Sequence, residues 1–64
     1  MVTVNGAELD YAGKTVGEAV SLGGYQPHRV AVELNEEIVP KAQYDTTVLK
    51  DGDCVEIVSF VGGG

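Results

Sequence analysis

A single cysteine, Cys54, stands among 64 residues, so the chain can form no internal disulfide and assemble no cysteine-based zinc site. The fold is expected to rest on its apolar core alone, in the reducing setting of a cytoplasm. Basic residues are scarce too. Lys14, Arg29, Lys41 and Lys50 are spread among ten acidic residues, and the formal net charge is −6. They cannot form a basic face, which argues against a nucleic-acid partner, whereas an acidic body suits a basic protein partner. Missing as well are an apolar stretch of membrane-spanning length and a secretory h-region behind a basic start. The expectation is a soluble, cytoplasmic protein, monomeric when free. At this length folding buries only about 60% of the unfolded chain's surface, so stability is expected to be modest.

Catalytic groups are equally few. The one histidine, His28, lies beside Pro27 in a loop and has no evident partner. Cys54 lacks the basic neighbours or helix N-terminus that activate a thiol. Asp51, Asp53 and Glu56 are close in sequence but lack the spacing and central glycine of a calcium loop. Gly13-Lys14-Thr15 keeps only the end of a phosphate-binding loop, without its upstream glycine. No catalytic residue, metal site or bound cofactor is expected.

What the chain does have is patterning. "MVTVNGAELDY" alternates on either side of Asn5-Gly6, a dipeptide suited to tight hairpin turns, so residues 1 to 11 read as a β-hairpin. The period then changes. Thr15 and Glu18 have the spacing of a capping box, Val16, Ala19 and Val20 share a helical face, and Gly23-Gly24 supplies a left-handed stop. A helix over roughly 15 to 22 follows, weakened by the internal Gly17. "RVAVELNEEIVP" returns to alternation, with Val30, Val32 and Leu34 inward, then a polar turn and a brief strand ending at Pro40. The segment from Lys41 to Asp53 is polar, with anchors at Tyr44, Val48 and Leu49, and Asp51-Gly52-Asp53 marks a turn. "CVEIVSFV" is the last β-rich run. A helix crossover places the third or the last strand parallel to the first. The expected fold is α+β, a β-grasp: a mixed four- to five-stranded sheet with one helix packed on one face.

In the last run Val55 and Ile57 point inward, leaving Cys54, Glu56, Val58 and Phe60 on the opposite face. Val58, Phe60 and Val61, with Ala31 beside them, form an apolar patch suited to a partner. After it come Gly62, Gly63 and Gly64. The division expected is a single domain over 1–61 and a flexible glycine tail over 62–64.

With this order of elements, "VELNEEIVP", "DGDCVEIV" and the closing Gly63-Gly64, the sequence resembles the ThiS family of sulfur carriers in thiamin thiazole biosynthesis, along essentially the whole chain. Lys41 stands where the family often has arginine, and Gly62 adds a third glycine. The resemblance implies that a ubiquitin-activating-type adenylyltransferase (ThiF-like), using ATP and Mg²⁺, adenylates the Gly64 carboxylate. Sulfur that a cysteine desulfurase supplies as a persulfide then gives a Gly64 thiocarboxylate, and thiazole synthase (ThiG-like) takes it. Gly62, Gly63 and Gly64 would enter the partner's active site, and the carrier would not itself be an enzyme. Gly-Gly ends also occur in the molybdopterin synthase small subunit and in ubiquitin-like protein modifiers, and a plain β-grasp interaction domain is a further alternative.

Overall fold

A computed structural model describes residues 1–60; Val61, Gly62, Gly63 and Gly64 lie outside the described residues, and with them the expected tail. The chain begins with strands β1 (Val2–Val4) and β2 (Ala7–Leu9), paired antiparallel with Val4 opposite Ala7. Their turn is Asn5-Gly6 at φ 50° and 86°, the double positive torsion that this dipeptide accepts with least strain.

Helix α1 (Val16–Leu22) starts where expected. The Thr15 hydroxyl accepts from the Glu18 amide, and the Glu18 carboxylate accepts from the Thr15 amide, so the capping box is complete. Its end is closed by the Gly23-Gly24 pair, as expected. Gly23 stays right-handed at φ −78°, and Gly24 takes the left-handed position at +82°. The Tyr25 amide bonds to Val20 O and the Gly24 amide to Ser21 O, a Schellman closure in which the second glycine carries the positive torsion. Gly17 has its own explanation. A Cβ there would lie 2.4 Å from an Asp45 carboxylate oxygen and 3.4 Å from Tyr44 O, so the Asp45 side chain fills the space that a larger residue would need.

Strands β3 (Val30–Leu34), β4 (Glu37–Ile38) and β5 (Cys54–Ser59) complete a mixed sheet of order β2-β1-β5-β3-β4. The last strand is the one parallel to the first, with Val4 opposite Val55, and β3 runs antiparallel to β5. This is the β-grasp arrangement expected. Single 3-10 turns at Pro27–Arg29 and Lys41–Gln43, unforeseen in the sequence, link the larger elements.

The helix covers one face. Val16, Ala19 and Val20 meet Val2 and Val4 of β1, Val30 and Val32 of β3, and Val55 and Ile57 of β5, while Val39, Tyr44 and Leu49 close the core from the loops. Val48, expected as an anchor, is 50% exposed. It forms an isolated bridge with Thr15, and neighbouring residues of an extended segment point opposite ways, so burying Leu49 turns Val48 out.

Tyr44 is only 4% exposed, and burial pushes its phenol above the usual value of 10.0. The unfolded chain therefore ionises first, and the folded state loses stability as pH rises from about 10 through the raised value. We expect the urea midpoint to fall over that range and Tyr44→Phe to flatten the fall. An equally steep fall in the variant would refute Tyr44 as its origin.

Candidate functional site

The face of the sheet turned away from α1 has no cover among the described residues. Strand register arranges it in rows. Cys54 lies beside Thr3, which in turn faces Glu8; the next row sets Glu56 opposite Glu33 and Glu33 opposite Ile38; the one after sets Val58 opposite Ala31. Phe60 continues the series past the end of β5, its amide bonded to Arg29 O at 2.8 Å. Along β5 the face thus passes from polar to acidic to apolar, at about 3.3 Å per residue.

Val58 and Phe60 are brought together as the sequence predicts, 58% and 53% exposed respectively. Val61, Gly62, Gly63 and Gly64, the other expected site residues, lie outside the described residues. Two features of the face were not foreseen. Ile38, 64% exposed, belongs to the same face at its far edge, and Glu33 and Glu56 are direct cross-strand neighbours. Alternation placed Glu33 and Glu56 outward; only the β3–β5 register sets them opposite each other.

Two asparagines hold the strand that carries this face. At the turn after β1 the Asn5 side chain accepts from the Ile57 amide at 2.8 Å and donates to Ile57 O at 3.2 Å. It thereby extends the β1–β5 pairing beyond the point where β1 turns away. At the other end Asn35, with φ 52°, accepts from the Cys54 amide at 3.0 Å and donates to Asp53 at 3.1 Å. Beside it Glu33, Asn35, Glu36, Cys54 and Glu56 line a shallow depression of about 440 Å³. No group of three metal-ligating side chains that could hold an ion occurs among the described residues. The face sets an apolar patch next to carboxylates that have no ion-pair partner among the described residues, on the strand that leads to residues 61–64.

A family model described as the ThiS family matches residues 2–64. The sulfur carrier protein ThiS of Thermus thermophilus is 39% identical over 64 residues, covering all of both chains. A thiazole synthase of Paramagnetospirillum magneticum is 45% identical over 65 residues, covering 98% of this chain and 20% of its own length. The chain thus spans about a fifth of that relative. Among solved structures, the thiamine biosynthesis protein ThiS of Geobacter metallireducens matches with a TM-score of 0.77 at 42% identity, covering 98% of this chain and 97% of that one. No helix among the described residues is long and apolar enough to cross a membrane.

Proposed function

The chain belongs to the ThiS family, and on that footing we propose that it carries sulfur on the Gly64 carboxylate for thiazole formation in thiamin biosynthesis. The observation that carries this reading is the end-to-end match with the Thermus thermophilus carrier. A separate adenylyltransferase with ATP and Mg²⁺ converts the carboxylate to an acyl-adenylate, releasing pyrophosphate. Sulfur from a cysteine-desulfurase persulfide then bonds to the carbonyl carbon as AMP leaves with the displaced oxygen. A thiol takes up the donor's remaining sulfur as a disulfide, which leaves a Gly64 thiocarboxylate. Thiazole synthase is the acceptor, a role supported by the thiazole synthase of Paramagnetospirillum magneticum, one fifth of whose length aligns with this chain.

The chemistry is left to the partner enzymes; the chain supplies docking and reach. Gly62, Gly63 and Gly64 carry no side chains into a narrow active site and accept torsions closed to other residues. Fixing each of them costs about 1–2 kcal/mol of backbone entropy. Burial of Val58, Phe60 and Val61 against the partner offsets this at about 25 cal/mol per Å² of apolar area.

Intact-mass measurement tests the proposal. Incubation with the adenylyltransferase, ATP, Mg²⁺, the desulfurase and cysteine is expected to exchange one oxygen for sulfur at Gly64. An unchanged mass in a system that loads the Thermus thermophilus carrier refutes it, and lysine-linked adducts would point to a protein modifier instead. Phe60→Asp is expected to slow loading by about tenfold or more, because a half-exposed aromatic anchor is lost and no core contact is. Loading at the wild-type rate would remove Phe60 from the docking face.

A further inference from the structure

The open face keeps an electrostatic conflict. Glu33 and Glu56 sit directly opposite each other on β3 and β5, an arrangement in which like charges destabilise a sheet. Among the described residues the one ion pair joins the Met1 ammonium to Asp51, so no cation of the chain neutralises either glutamate. Glu36 adds a third carboxylate to the same depression. One row further along β5 the surface is apolar, with Ala31 opposite Val58 and then Phe60, and Ile38 flanks Glu33 on the other side. An apolar face alone would not reveal its occupant. Here the unpaired acids embedded in it narrow the choice.

Resting on the carrier reading, we propose that Glu33 and Glu56 together receive an arginine of thiazole synthase, whose surface around that arginine is apolar where it meets Val58, Phe60 and Ile38. A guanidinium fits the site better than an ammonium. Its planar fork of donors can bond carboxylates on two adjacent strands, and its weaker hydration makes burial beside apolar side chains less costly. A divalent cation fits less well, since no three-residue ligand group that could hold one occurs among the described residues. The repulsion that costs the free chain stability becomes attraction toward the partner, so these carboxylates act in opposite directions on folding and on docking.

That opposition supplies the test. Binding to thiazole synthase purified without a carrier is measured by titration calorimetry over a range of salt, and urea unfolding is followed on the free chains. Glu33→Gln and Glu56→Gln are each expected to weaken binding about tenfold, to reduce its salt dependence and to raise the urea midpoint of the free chain. Glu37→Gln makes the same change in net charge on the residue opposite Leu34, off this face, and is expected to leave affinity unchanged. Unchanged affinity in both site variants overturns the proposal. Equal weakening by Glu37→Gln also does, because net charge would then account for the effect. Sulfur loading of the wild-type chain, measured in parallel, separates the two readings: loading with full affinity in both site variants refutes the arginine site alone, and failure to load refutes the carrier function.

Discussion

A chain shortened by Gly64 is expected to fold as the full chain does and to take up almost no sulfur. The two halves of that result have different causes. Among the described residues every buried core residue lies between Val2 and Ile57, and a glycine has no side chain to add to that core, so the urea midpoint is expected to stay unchanged. Docking through Val58 and Phe60 is also untouched. The carboxylate, however, now belongs to Gly63 and falls about 3.3–3.6 Å short of its former reach. Because a misplacement of about 1 Å can cost about 100-fold in rate, a full residue should reduce loading below detection in an intact-mass assay. The shortened chain should still compete with the full one for the adenylyltransferase, which would locate the defect in reach rather than in docking. Loading of the shortened chain at a near-normal rate would refute Gly64 as the reacting position.

Much of this site was legible in the sequence because period-two alternation states which face a residue occupies. Val58 and Phe60 read outward beside inward Val55 and Ile57, and the structure agrees. Local chemistry was legible for the same reason: Thr15 with Glu18, and Asn5 with Gly6, each act within a few residues of chain. Alternation says nothing, though, about which residues of separate strands lie side by side. The Glu33–Glu56 pair depends on how β3 docks on β5, and Ile38 joins the face only through its pairing with Glu33. Val48 was misread where an irregular segment offers no reliable period, and its contact with Thr15 bridges distant parts of the chain. The second tasks of Asn5 and Asn35 were hidden likewise, since both asparagines look complete as turn residues until β5 is placed beside them.

Asn5→Ala is expected to destabilise the chain by about 2–5 kcal/mol, a large share of the roughly 3–10 kcal/mol typical for this length. Three losses add. Alanine at φ 50° is strained by about 1–2 kcal/mol, and the side-chain bonds to the Ile57 amide and carbonyl disappear, each worth about 0.5–1.5 kcal/mol. The lost contact with the Tyr25 hydroxyl, at 3.3 Å, adds little. Asn5→Gly separates these contributions, since glycine accepts the torsion without strain but makes neither bond; its cost should be about 1–3 kcal/mol. Urea unfolding measures the order, and a Gly variant as unstable as the Ala variant would refute the strain component. Hydrogen exchange gives a local check. In Asn5→Gly the Ile57 amide loses its acceptor, while the Asn5 amide still bonds to Val55 O at 2.9 Å, so exchange should quicken at Ile57 far more than at Asn5. Because Ile57 precedes Val58 and Phe60 on the same strand, that loosening should also lower the affinity of the docking face, coupling the turn after β1 to sulfur delivery.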